Sequence, residues 1–360
     1  MSKLILENIS KQYNGNWVLR NINFETQENE FAVFLGPSGC GKTTLLKIIA
    51  GLEIPDSGRI FLNGKEITNL SPAERKISMI FQNFPVYSHL NVFDNLAIPL
   101  RLQRFSKSTI KENVEAIADR LSLTSFLHRK TTTLSGGELQ RVAIGKALIK
   151  QPKIFLMDEP LSDLDTQVKV LFKNIIRETH KAEQALFMYV THDHYEANAL
   201  ADRVFIINNG AIMQCDSPEM IYKRPRNVFV AKFVGSPQIN ILKGKIDRKY
   251  ENLYIKTKLG HMEISPDKDM TNRTKDNILV GIRPEHLMIS HNCDGLLFAT
   301  IKYCEFKGNQ TIVWIEEVEN FKIIADSSTK FEVGSKICLN YKPQNLIFFD
   351  NKNQKNLEEN

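Results

Sequence analysis

The chain has 360 residues, 42% of them hydrophobic and 24% charged, with a formal net charge of +6; this is an ordinary globular composition, long enough for about two to three domains. The mild positive charge names no partner, since a solvated surface explains it as well as a membrane or a nucleic acid does. Five cysteines, Cys40, Cys215, Cys293, Cys304 and Cys338, include no CxxC pair, which argues against a zinc ribbon or a full disulfide framework and fits a reducing cytoplasm; no apolar run approaches the ~20 residues of a membrane span, and Glu7 comes too early for a secretory signal.

Residues from Leu4 to about Gly235 read as one α/β domain, in which apolar runs at 31–35, 154–157, 185–190 and 204–207 are the candidate parallel strands. The first, Phe31-Ala32-Val33-Phe34-Leu35, leads into Gly36-Pro37-Ser38-Gly39-Cys40-Gly41-Lys42-Thr43, which matches the phosphate-cradling pattern G-x-x-x-x-G-K-[ST] without a mismatch. Leu45, Leu46, Ile48 and Ile49 then fall at helical spacing until Gly51. A strand, a glycine-rich loop and a helix start let backbone N–H groups and the helix dipole converge on phosphates. The sequence therefore predicts a nucleoside triphosphate bound from Gly36 to Thr44, with Lys42 as a mobile point charge and Thr43 as a Mg²⁺ ligand. The electropositive loop should also favour the thiolate of Cys40, so that ATP protects the protein from alkylation.

From 83 to 133 the texture is mostly helical, with Ile110, Val114, Ile117, Ala118 and Leu121 at helical spacing and Thr109 with Glu112 as a capping box. This segment reads as an insertion. Leu134-Ser135-Gly136-Gly137-Glu138 follows and opens a further helix, offering a second set of backbone donors for an anion. Lys153-Ile154-Phe155-Leu156-Met157-Asp158-Glu159-Pro160 is an apolar strand ending in two acids, at the sheet edge where ligands of open α/β sheets bind. Asp158 suits a Mg²⁺ contact through water, and Glu159 suits the water that attacks the γ-phosphate.

With these motifs in place the chain resembles the ATP-binding cassette superfamily, whose two subunits sandwich ATP between one P-loop and the other subunit's LSGGQ signature. The resemblance implies an ATPase that works as a homodimer or paired with a second such subunit. It assigns Gln82, in Ile80-Phe81-Gln82, to sensing the γ-phosphate and Mg²⁺. It makes His192, in Thr191-His192-Asp193, the switch histidine, and Ser162-Asp163-Leu164-Asp165 the loop that crosses the dimer interface. Tyr13 matches the aromatic that stacks on adenine, against the alternative of a strand-edge core tyrosine. Departures are Glu138 in place of the usual signature glutamine, Lys146 where arginine is common, and Pro85 after Gln82.

Beyond Ser236 the segments Ile278–Ile282, Leu296–Tyr303, Gln310–Ile315 and Leu346–Phe349 are β-rich and suggest small barrels. The expected fold is an α/β P-loop domain over 1–235, with its helical part about 83–133, then an all-β OB-like (TOBE) domain over 236–350. The polar stretch 351–360 reads as a disordered tail. Val228 to Pro237, Asn240 and Gly281-Ile282-Arg283-Pro284-Glu285-His286 are similar to bacterial importer ATPases, most of all the carbohydrate and glycerol-3-phosphate branch. That likeness implies two integral-membrane permease subunits, an extracytoplasmic solute-binding protein acting indirectly, and a place on the cytoplasmic face of the cell membrane. Phe84 to Leu90 is either the permease contact or insertion core. The first alternative is the same subunit role for polyamine, iron or another small solute; the rivals from other classes are a nucleic-acid-associated cassette ATPase, disfavoured here so that no nucleic acid is expected, and a module that binds ATP without turnover.

Overall fold

A strand that is apolar at every position suits burial on both faces, and Phe31–Leu35 is buried at all five positions. It forms the middle of a sheet in the computed structural model, which describes residues 3–81, 86–149, 152–162, 166–249, 252–265, 268, 270, 276–290 and 297–358. The chain divides into two compact units, Met1–Pro218 and Glu219–Asn360. The division falls ahead of the junction expected at 235, so the short helices before Gly235 group with the β-rich part.

In chain order the first unit contains β1 (Leu4–Tyr13), β2 (Asn16–Glu25), β3 (Phe31–Leu35), α1 (Lys42–Ala50), β4 (Ser57–Leu62), β5 (Lys65–Glu66), α2 (Pro72–Arg75) and β6 (Ile77–Ile80). Then come α3 (Val92–Leu102), α4 (Lys107–Arg120), α5 (Gly136–Leu148), β7 (Ile154–Asp158), α6 (Thr166–Glu183), β8 (Leu186–Thr191), α7 (His194–Leu200), β9 (Arg203–Asn208) and β10 (Ala211–Asp216). Six strands form a sheet in the order β10-β9-β3-β8-β7-β6, parallel except for the β9–β10 hairpin. A second, antiparallel sheet runs β2-β1-β4-β5. Helix α1 joins the two: Leu45, Leu46, Ile48 and Ile49 share one core with Leu4, Leu6 and Ile9 of β1 and with Ala32 and Phe34 of β3.

The end of α1 is held by a buried arginine. Arg75 is buried and donates to the carbonyls of Ile48, Ile49, Thr68 and Leu70, so a cation sits where the helix dipole is negative. In the helical segment, α3 packs on α4 and α5. The capping box expected at Thr109 and Glu112 is replaced by a cap one turn earlier: Ser106 is extended and its hydroxyl accepts from the Thr109 amide.

The second unit contains α8 (Pro218–Lys223), α9 (Val228–Phe233), β11 (Asn240–Lys249), β12 (Asn252–Thr257), β13 (Gly260–Glu263), β14 (Asn277–Ile282) and β15 (Leu287–Ser290). It continues with β16 (Leu297–Phe306), β17 (Gln310–Ile315), β18 (Lys322–Asp326), β19 (Lys336–Tyr341) and β20 (Ile347–Asp350). These ten strands make one antiparallel assembly. Its core includes Leu242, Ile255, Val280, Leu297, Val313 and Phe348. Arg283 is 1% exposed, lies over the Tyr222 ring and donates to the carbonyls of Tyr222, Ala231 and Val234. Burial lowers its pKa to about 10, which still leaves it a cation at neutral pH, closing the C-terminal end of α9.

The disordered tail is corrected over its described part. Asn356 is buried, its amide nitrogens donate to the carbonyls of Arg226 and Pro225, and the Leu357 amide donates to Phe348. Polar composition hid this order, because the segment is held by backbone pairing, by the Asn356 side chain and by one apolar residue, Leu357, packed on the core.

Candidate functional site

Strand β3 ends at Leu35, and the chain turns through the glycine-rich loop into α1. Gly41 is the N-cap of that helix at φ 104, and no side chain caps it. A Cβ on Gly41 would stand 2.6 Å from the Val18 carbonyl, and one on Gly36 would stand 2.3 Å from the Ile207 carbonyl. The loop is therefore pressed between β2 and β9, and glycine is required by space at both positions. Lys42 is buried and its Nζ donates to the carbonyls of Gly36 and Pro37, at 2.8 and 2.9 Å. Ser38 and Gly39 lie at the turn before Cys40.

The expected thiolate at Cys40 is overturned. The residue is 7% exposed, and burial pushes its thiol above the ordinary value although Lys42 pulls the other way. Desolvation of the charged form wins over one nearby cation. Tyr13 is 40% exposed, so it is not a core tyrosine. Its hydroxyl lies against Glu53 and Thr44, and burial followed by Glu53 raises its pKa; the ring is thus beside the first turn of α1.

The parallel register brings β7 to the same edge of the sheet. Thr43 Oγ1 donates to Asp158 Oδ1 at 2.9 Å, placing a hydroxyl and a carboxylate together as hard oxygen donors that suit Mg²⁺. Burial raises the Asp158 carboxyl above the ordinary value, with the Thr43 hydrogen bond opposing and Glu159 adding to the rise. Glu159 sits at φ 46, a left-handed conformation that a residue with a side chain adopts only where its surroundings impose it. Those surroundings are backbone bonds: the Glu159 amide donates to Val190, and Ser162 donates to the Glu159 carbonyl through both its amide and its hydroxyl. The turn aims the Glu159 carboxylate at His192, whose Nδ1 lies 3.2 Å from Oε2.

Sequence reasoning missed the support beneath this pair. Glu196 is buried and accepts from the Tyr189 and Thr191 hydroxyls, while Asp193 caps α7 through the amides of Tyr195 and Glu196. Gln140, also buried, reaches from α5 to the Pro160 carbonyl. A buried glutamate or glutamine carries no local sequence signal; only the fold shows what it holds.

Helix α5 begins at the second glycine motif. Ser135 is its N-cap after Leu134, and the two halves of a capping box are formed: the Glu138 amide donates to Ser135 Oγ at 3.4 Å, and the Ser135 amide donates to Glu138 Oε2 at 2.7 Å. Those bonds, with Arg129 and Arg141 nearby, hold the Glu138 carboxyl below the ordinary range. Gly136 is exposed, and a Cβ there would meet nothing within 4 Å. Gln82, Phe84, Pro85, Asp163, Leu164 and Asp165 lie outside the described residues. Tyr87, in the described part of the segment after Gln82, is 44% exposed and lies under Lys146 Nζ.

Comparison with known proteins gives three family matches: ABC transporter over 19–162, MalK OB fold domain over 235–287, and TOBE domain over 280–349. The chain is 41% identical to the maltose/maltodextrin import ATP-binding protein MalK of Photorhabdus laumondii, over 88% of this chain and 86% of the relative. It is 38% identical to the alpha-glucoside transport ATP-binding protein AglK of Rhizobium meliloti, covering 98% of this chain and 99% of the relative. For the sn-glycerol-3-phosphate import ATP-binding protein UgpC of Cupriavidus metallidurans the identity is 35%, over 99% of each. A solved ATP-binding cassette dimer, in a post-hydrolysis state with ADP and Pi, is similar at TM-score 0.55 and 28% identity, covering 60% of this chain and 98% of the other.

Proposed function

The chain belongs to the ABC transporter family of ATP-binding proteins, and we propose that it is the ATP-hydrolysing subunit of an importer for carbohydrate or glycerol-3-phosphate-type solutes. It is an ATPase with a P-loop domain and a C-terminal OB/TOBE part. The observation that carries the catalytic reading is the pairing of Glu159 and His192 beside the Thr43–Asp158 contact. In this reading the amides from Gly36 to Thr44 and Lys42 bind the phosphates, and Tyr13 stacks on adenine. Glu159 orients and deprotonates the attacking water, and His192 holds that carboxylate and contacts the γ-phosphate. Thr43 and Asp158, with Gln82, would hold Mg²⁺, which when bound would supply positive charge against the phosphates.

The composite site requires a second subunit, whose Leu134-Ser135-Gly136-Gly137-Glu138 segment closes over the ATP; Ser162, Asp163, Leu164 and Asp165 lie at that interface. The relatives are import ATP-binding proteins, which supports import and, through it, a membrane partner, and the similar solved cassette supports a dimer. Among the described residues no helix is long and apolar enough to cross a membrane. Two permease subunits would therefore carry the solute, with this chain peripheral on the cytoplasmic face and a solute-binding protein acting through them. In this reading the ATPase part spans 1–235 and the regulatory part 236–350, whereas the compact units divide after Pro218.

Replacement of Glu159 by Gln tests the reading. ATP binding is expected to persist, turnover to fall below detection, and an ATP-dependent dimer to accumulate on a sizing column with light scattering. Retained phosphate release would remove Glu159 from its role. ATPase assays with the permease in vesicles, across solutes, address the cargo: stimulation by polyamine or iron rather than sugars would replace the carbohydrate assignment.

A further inference from the structure

Helix α5 starts with an anion already in place. The Glu138 carboxylate accepts from the Ser135 amide at 2.7 Å, and Ser135 Oγ is engaged in turn by the Glu138 amide. The first turn of a helix offers only a few amides without intrahelical partners; here the Ser135 amide is taken by the carboxylate of the helix's own third residue, while the Ser135 hydroxyl accepts from the Glu138 amide and keeps its own proton to donate. The amides of Gly136 and Gly137 are the first-turn donors with no acceptor assigned among the described residues. An incoming phosphate at this helix would meet a carboxylate at the position where the dipole most favours negative charge, with Arg129 and Arg141 as the cations nearby.

We propose that Glu138 is a threshold-setting residue: its carboxylate, fixed on the Ser135 amide, places a negative charge at the helix start that the partner's γ-phosphate must approach, so that closure of the dimer needs more ATP than an uncharged cap would require. This rests on the composite-site reading above. Glu138 acts through Ser135 and the first turn of α5, and is a positioning residue with no contact of its own to the reacting atoms. A neutral glutamine keeps a carbonyl to accept from Ser135 while removing the like charge; an aspartate keeps the charge.

The test uses the full chain carrying Glu159→Gln, so that ATP is not consumed, and reads the ATP concentration giving half-maximal dimer by analytical ultracentrifugation. Adding Glu138→Gln is expected to lower that midpoint about three- to tenfold, whereas Glu138→Asp is not. The difference between Glu and Gln should shrink toward none as KCl rises to about 1 M, where the Debye length is ~3 Å; a purely structural capping role would not show that salt dependence. A melting curve checks that each variant is folded. A dimer whose midpoint Glu138→Gln leaves unmoved or raises overturns the inference alone. Absence of an ATP-dependent dimer in every variant overturns the composite-site reading and this inference with it.

Discussion

The first turns of α1 and α5 both follow glycine motifs, and they differ in what sits at the helix start. At α1 the N-cap is Gly41 at positive φ with no side-chain cap, and Lys42 folds back onto its own loop. At α5 the N-cap is Ser135 in an extended conformation, and a complete capping box closes over the turn. The first arrangement gives up local helix stability and leaves its start free of side-chain charge; the second stabilises its helix with a carboxylate that holds the Ser135 amide and sets a negative charge beside the remaining first-turn donors. One chain thus carries two glycine-motif helix starts, one without a side-chain cap and one with an acidic cap.

The largest expected effect is at the open end. Lys42→Ala should lower phosphate release by about a hundredfold or more, through loss of the charge that meets the phosphates; turnover within tenfold of the parent would place the P-loop charge elsewhere. Next comes a pair of glycine substitutions. Gly41→Ala forces a Cβ to 2.6 Å from a backbone carbonyl at φ 104, and should cost about 2–3 kcal/mol in a denaturant titration. Gly136→Ala adds a methyl group into open space within a helix, and should leave stability unchanged or raise it by about 0.5–1 kcal/mol. Equal losses at both would erase the contrast between the two ends. Ser135→Ala removes the α5 cap, with an expected loss of about 1 kcal/mol in the same titration.

The smallest effect separates the two ends by pH. Asp158 has a carboxyl raised by burial above 3.8, so its ionised form opposes folding at neutral pH. Asp158→Asn should then raise the melting temperature at pH 7, with the gain fading toward pH 4 as the native aspartic acid takes up its proton. Glu138 has the opposite sign: its carboxyl is held below 4.5, so it stabilises the fold above that pH and loses the contribution as pH falls through the lowered value. Glu138→Gln should accordingly lower the melting temperature at pH 7 and have no effect well below pH 4. A shift of the same sign for both variants would contradict this assignment.

The motif residues were legible because their chemistry depends on fixed spacing along one strand-to-loop step: Lys42, Thr43, Asp158, Glu159 and His192 all stand at or just after the ends of parallel strands, and the fold brings them to one edge. The strands β3, β7 and β8 were legible for a related reason, being buried throughout. Strands β1 and β2 were not, because Asn8 and Asn21 adopt left-handed conformations and the pairing shifts register, which breaks the two-residue alternation. Cys40 failed in direction because its motif shows the nearby lysine while only the packed loop shows the burial. Arg75, Gln140 and Glu196 carry no motif, and their partners are distant in sequence or set by tertiary packing. The tail at Asn356 was misread because its partners, Arg226 and Pro225, lie far away along the chain.

The Lys42 contacts also bear on how the cycle restarts. Its ammonium is satisfied by the carbonyls of Gly36 and Pro37. In the proposed reading, phosphate arrival would exchange partners for a charge that is already desolvated, and phosphate departure would return the ammonium to acceptors in its own loop. The lysine proposed to grip the substrate thus has acceptors within reach on either side of the exchange, which would lower the cost of letting the product go.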